Sequence, residues 1–191
     1  MHSYAAFLRG VNVGGHNLIN MKEMCLKFQS MGFENVSSYR ASGNILFQSS
    51  KSDEDSIARS MGKKVSEMTT GREVEVLLRS HEELLTLIGL NSFKGKNQEG
   101  TNKKNYVSFA TEMSRKKPSH PLPLFSARED VEIVLLNDRN VFCLSHLVQG
   151  RFGFPNAFVE KTFGTKATTR DWKTVTGVTS ILDEKQKWKP S

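Results

Sequence analysis

The chain has 191 residues, 37% of them apolar, so it can bury a core sufficient for one large domain or two small ones. Two distant cysteines, Cys25 and Cys143, exclude a disulfide framework and a C-x-x-C zinc site, and no apolar run reaches the length of a membrane span. The net charge of +7 is uneven, with 11 Lys+Arg against 10 Asp+Glu in residues 1–95 and 16 against 10 in residues 96–191, which favours an anionic small molecule or nucleic acid as partner or else a plainly solvated surface.

The N-terminal residues have no basic leader and only a short apolar run before Arg9, so they read as a strand over 3–9, not a signal peptide. With two reduced thiols and no membrane span, a cytoplasmic protein is expected. The glycine-rich loop Gly10-Val11-Asn12-Val13-Gly14-Gly15 follows. Asn20 is then an N-cap with Glu23 three residues on, and Met24, Cys25, Phe28 and Met31 recur at helical spacing until Gly32. Residues 36–41, a tight Ser42-Gly43-Asn44 turn and residues 45–48 predict a β-hairpin. Ser52 or Asp53 caps a second helix through Ile57, Met61, Val65 and Met68, and residues 73–79 alternate as a strand.

The order βαββαβ is that of the ferredoxin-like split unit. Ser80 and Glu83 form a capping box for a short helix ending near Gly89, and residues 94–104 have no apolar period and suit a linker. Strands then resume at 106–110. Pro118, Pro121 and Pro123 leave room for an irregular segment or a short helix over 122–127, before a second hairpin of 131–136 and 141–147. Pro155 opens a helix that Gly164 stops. A last helix is expected from Thr168, with Trp172, Val175, Val178 and Leu182 as its apolar stripe. The class is therefore α+β. Two ferredoxin-like subdomains are expected, residues 1–95 and a more basic 96–191 that carries the C-terminal helix and a short tail.

Strands one and two of a split unit run parallel, so the loop leaving the first and the turn closing the hairpin share one sheet end. Arg9, Asn12, Gly14, Gly15 and His16 should therefore face Ser42, Gly43 and Asn44. Backbone amides, the Arg9 guanidinium and two side-chain amides would there form the kind of concavity that holds a phosphate or carboxylate. The same glycines are also what tight turns require whatever binds nearby. A second candidate site is Thr168, Thr169, Arg170, Trp172 and Lys173, where first-turn amides and two cations could hold an anion beside a stacking indole. Equally, Thr168 can be a plain cap, Trp172 a core anchor and Arg170 half of an ion pair.

Catalytic signatures are sparse. Gly10 to Gly15 has P-loop spacing, but His16 and Asn17 replace the lysine and hydroxyl that bind phosphate and magnesium. Strand 44–48 lacks the paired aromatics of an RNA-recognition strand. His2, His16, His81, His120 and His146 have no metal-ligand spacing, and no serine sits in a nucleophile elbow. No metal or other cofactor is expected and no catalytic residue is assigned; His16 is the histidine inside a candidate site, placed to act as acid or base.

Three stretches, Leu8 to Gly15, Ser42 to Phe47 and Ala167 to Val175, resemble the domain-of-unknown-function family 1697 of bacterial proteins. The resemblance implies a pair of ferredoxin-like subdomains and carries no established activity. His16 stands where the family often has Lys, and Asp171 where it usually has Asn, each making the local charge less positive. The leading expectation is a protein binding a phosphorylated or otherwise anionic ligand, nucleotide or RNA, with the Arg9 loop and Ser42 turn as its site. An enzyme acting on such a ligand through His16 and a protein-interaction module without small-molecule chemistry are the alternatives. Oligomeric state is left open.

Overall fold

The computed structural model of the chain describes residues 1–12, 19–40, 43–69, 74–95, 102–113 and 121–187. Its class is α+β, with two antiparallel sheets and, among the described residues, five helices. Two units emerge: Met1–Leu85 joined by the chain from Gly177, and Thr86–Thr176.

The first unit runs β1 (His2–Leu8), α1 (Met21–Ser30), β2 (Glu34–Ser38), β3 (Asn44–Ser49), α2 (Glu54–Met68) and β4 (Val76–Ser80), with sheet order β2-β3-β1-β4. Each helix links two strands that leave a gap for a third, which is the order of a split βαβ unit. β1 fills the central gap, antiparallel to β3 on one side and β4 on the other. Because it is covered on both faces, Tyr4 to Leu8 is continuously apolar and buried instead of alternating. Tyr4, Ala6 and Leu8 join Met24 and Phe28 of α1 and Ile57 and Met61 of α2 in one core. Full burial of side chains the size of Phe28 and Met61 contributes roughly 1.5–3 kcal/mol each.

The helix starts follow their caps. The Asn20 side-chain oxygen accepts from the Lys22 and Glu23 amides, and Asp53 accepts from the Ser56 amide. α3 (His81–Gly89) opens on a reciprocal box: the Ser80 amide donates to Glu83 at 2.7 Å and the Glu83 amide to the Ser80 hydroxyl at 3.1 Å.

The second unit contains β5 (Lys103–Ala110), β6 (Leu124–Phe125), β7 (Val131–Asn137), β8 (Asn140–Val148), β9 (Arg151–Phe152), α4 (Asn156–Phe163) and β10 (Ala167–Asp171). Its order is β10-β5-β8-β7-β6, with β9 folded back on β8. Last, first, third and second main strands are thus neighbours in both sheets. Val131, Ile133, Val141 and Cys143 pack beneath Val159 and Phe163 of α4.

Two sequence expectations change. The segment 122–127 holds no helix; Leu124 and Phe125 instead pair with Ile133 and Glu132 as an edge strand. The final helix, α5 (Trp172–Lys187), begins four residues after Thr168. Ala167–Asp171 is a strand paired residue for residue with Ala110–Tyr106. Thr168 and Thr169 are β-branched, and a ladder on the open edge of β5 satisfies more backbone groups than one capping hydroxyl can. Asp171 takes over as cap, its carboxylate accepting the Thr174 amide at 2.7 Å and the Thr174 hydroxyl at 3.0 Å. Val175, Val178 and Leu182 are buried as their spacing predicts. Among the described residues no helix is long and apolar enough to cross a membrane.

Gly62 decides how closely α2 meets the start of β4. A Cβ there would lie 2.6 Å from the Val74 carbonyl oxygen, a backbone atom that cannot swing aside. Alanine gains about 1 kcal/mol of helix propensity, whereas forcing apart a packed contact costs roughly 1–3 kcal/mol. Gly62→Ala should therefore lower the thermal midpoint; a raised midpoint in a melt would show that the helix can lift from the strand freely.

Candidate functional site

At the C-terminal end of β1 three chain segments are stitched together. The Leu8 amide donates to the Gly43 carbonyl at 2.8 Å, and the next amide, that of Arg9, donates the opposite way to the Glu75 carbonyl at 2.9 Å. The described parts of the glycine-rich loop and of the hairpin turn are therefore side by side, at the sheet end that strand direction predicts. Gly10 and Gly43 both have positive φ, 71° and 68°. At Gly43 the constraint is double, because a Cβ would also stand 3.0 Å from that of Leu8. Gly14, Gly15, His16 and Ser42 lie outside the described residues.

Two of the proposed donors have structural work. The Asn12 side chain accepts the Ile19 amide at 2.7 Å and donates to the Ile19 carbonyl at 3.2 Å, which clips the two ends of the loop together. Asn44 is fully buried and donates to the Tyr39 carbonyl at 3.0 Å, while its own carbonyl accepts the Tyr39 amide. That pair closes the hairpin. Charge at this sheet end comes from Arg9, half-buried, and from exposed Arg40, whose guanidinium lies 5.4 Å from the centre of the Tyr39 ring. Glu75 stands across from Arg9, one position beyond the last β1–β4 pair.

Glu75 also lines an open groove of about 470 Å³ between α2 and the start of β4. Arg59 and Lys63, one turn apart on α2, supply its cations, with Ser66 beside them. None of Arg40, Arg59 and Lys63 stood out in the sequence. The i, i+4 spacing of the latter two around Gly62 was the available signal, and it is shared by many solvated helix faces.

The second group of candidate residues does not converge. Successive residues of β10 point to opposite faces. Thr169 bonds Ser108 at 2.7 Å and donates to Asn156 at 3.1 Å, whereas Arg170 turns to the Thr168 hydroxyl at 2.7 Å and the Thr169 carbonyl at 3.0 Å. Burial pushes the Arg170 guanidinium down to about 10, with the neighbouring Asp171 charge opposing. Trp172 packs edge-on to Phe93 at 5.2 Å and against Phe142, and Lys173 is exposed. The Asp171 carboxylate already holds the amide that an anion at the α5 terminus would use.

Nucleophiles and metal ligands add little. No group of three His, Cys, Asp or Glu among the described residues is placed to hold a metal. His146 is paired to Glu132 at 2.9 Å. Cys143 is fully buried, and that burial drives its thiol well above the usual range.

A model of the family of proteins of unknown function DUF1697 matches residues 1–142. The chain belongs to this family. The matched region contains the whole β1–β4 sheet and stops within β8, so the Arg9 and Gly43 segments lie inside it and the β10 segment outside. No curated protein matches the chain. A solved structure, a conserved bacterial protein from Streptococcus pneumoniae, aligns at 21% identity with a TM-score of 0.62, covering 95% of this chain and 98% of that one. At that identity the likeness speaks for the fold alone.

Two outcomes follow from the side-chain geometry. Asn12→Ala should destabilise the protein by about 2 kcal/mol, since it removes two hydrogen bonds and places a β-carbon residue without Asn's tolerance at φ 55°; a denaturant midpoint equal to that of the parent would remove the clip. Iodoacetamide at mildly alkaline pH should leave Cys143 unmodified until denaturant is added, which peptide mass mapping reads directly.

Proposed function

We propose that this protein binds a phosphorylated or otherwise anionic ligand, such as a nucleotide or an RNA phosphate, at the sheet end where β1, β3 and β4 meet. The observation that carries the reading is the convergence of Arg9 with Gly10 and Gly43, two left-handed glycines that let backbone approach a ligand closely. An arginine at such a place presents a rigid fork that matches phosphate and carboxylate. Arg40 on the adjoining turn, and Arg59 and Lys63 in the neighbouring groove, add positive charge; Glu75 offsets part of it. Asn12 and Asn44 shape the site through the loop and the hairpin.

Arg9→Ala should weaken binding of a nucleotide triphosphate or inorganic phosphate at least about ten-fold, because a hydrogen bond to a charged group contributes roughly 1.5–3 kcal/mol. Stability should fall by about 1 kcal/mol or less, as expected for a half-buried side chain at a strand end. Trp172→Ala, which empties a contact with two aromatic rings, should cost about 3 kcal/mol and leave that binding unchanged. Calorimetric titration beside thermal melts distinguishes these results. An Arg9→Ala protein that melts as low as Trp172→Ala yet binds like the parent would make Arg9 a strut of the sheet.

A further inference from the structure

The second unit carries a surface that is separate in sequence and chemistry from the Arg9 site. Lys104 and Tyr106 lie two residues apart on β5 and so project from the same face. The tight turn at Gln149 and Gly150, both at positive φ, folds β9 back on β8. Phe152 and Phe154, also two apart, are thereby brought against that face. The Lys104 ammonium lies 4.1 Å from the centre of the Phe152 ring, and Tyr106 meets Phe154 edge to face at 5.8 Å and 82°. The result is a ladder of two rungs, cation on ring and ring on ring.

The ladder is held from behind. Gly153 between the two phenylalanines has no room for a side chain, since a Cβ would lie 2.5 Å from the Asp130 carbonyl oxygen, and its own carbonyl accepts the buried Ser145 hydroxyl. Phe154 nevertheless remains 60% exposed, and Lys104 on the other rung is exposed as well. Asp171, the acid opposite Tyr106 in register, is taken up by the Thr174 amide and hydroxyl. Charge points the same way: residues 86–176 hold 14 Lys+Arg against 8 Asp+Glu, so nearly all of the surplus of +7 belongs to this unit.

We infer that this face binds single-stranded nucleic acid, with a base stacking on Phe154 and the backbone running past Lys104. Aromatic platforms set among cations are how proteins hold single strands without reading sequence. A folded protein partner with an apolar surface would not call for the cations, and a duplex offers no free base face to the ring.

The test uses the whole chain and two short fluorescent oligomers, oligouridylate and oligothymidylate, followed by anisotropy. Binding should be clear at about 50 mM salt and fall steeply by about 200 mM, as counterion release requires. Phe154→Ala should weaken it about ten-fold with an unchanged melting curve, matching the loss of one stacked base. Lys104→Ala should flatten the salt dependence by about 1 in slope. Phe154→Ala should bind inorganic phosphate like the parent, which separates this surface from the site proposed above. Preference for oligouridylate would support an RNA strand through its 2′-hydroxyls, and equal binding would support a strand held by stacking and charge alone. Absence of binding at the lower salt, or Phe154→Ala binding as tightly as the parent, would overturn the assignment. So would loss of self-association in Phe154→Ala without loss of oligomer binding, which would make the patch a contact between copies of the chain.

Discussion

Two consecutive amides at the end of β1, pointing to opposite sides of the chain, hold the first sheet together at the start of the glycine-rich loop. Leu8 donates to Gly43 and Arg9 to Glu75. Such alternation is ordinary for a strand with a neighbour on each side, since successive N–H groups point in opposite directions. Its consequence is local. The last ladder bond toward β3 and the first beyond the pairing with β4 both fall at the start of the glycine-rich loop, so the loop, the hairpin turn and the entry to β4 cannot drift apart without losing backbone hydrogen bonds in a buried setting. Arg9, Gly10 and Gly43 of the proposed anion site hang from that junction.

The surroundings reinforce the junction with polar side chains used as fasteners. Asn12 binds both backbone groups of Ile19, and Asn44 secures the hairpin against Tyr39. Glycines do the complementary task where atoms are too close for a side chain. Gly62 lets α2 settle on the Val74 carbonyl, and Gly153 lets the segment after β9 lie against Asp130. In both places a missing Cβ sets the spacing of a surface, the groove in one unit and the aromatic ladder in the other.

The two units reach one strand order under unequal support. In the first, α1 and α2 each cover the core. In the second, α4 is joined by the partly buried Leu122, Leu124 and Met113 over the corresponding core. The second unit also carries most of the positive charge and the exposed phenylalanine. The two proposals thus fall in different units, an anion site argued from backbone geometry in the first and a salt-dependent surface argued from rings and Lys104 in the second.

Local signals in the chain were sufficient for whatever short-range hydrogen bonds decide. Asn20, Asp53 and the Ser80–Glu83 box each start a helix where they predict one, and Gly164 ends α4 in a left-handed conformation. The apposition of Arg9 and Gly43 was also legible, because parallel directions for the first two strands leave no other sheet end for the loop and the turn. What the chain could not reveal by itself were choices between two locally acceptable partners. Thr168 reads as well for a cap as for a strand, and the vacant edge of β5 made it a strand. Asn12 and Asn44 read as ligand donors, and only the fold shows that each also holds a backbone carbonyl, of Ile19 and of Tyr39. The pair Lys104 and Tyr106 and the pair Phe152 and Phe154 lie more than forty positions apart and show no shared period. Only the fold of β9 onto β8 brings them together, because a stacking contact depends on distance in space, and sequence spacing measures that distance solely within a single helix or strand.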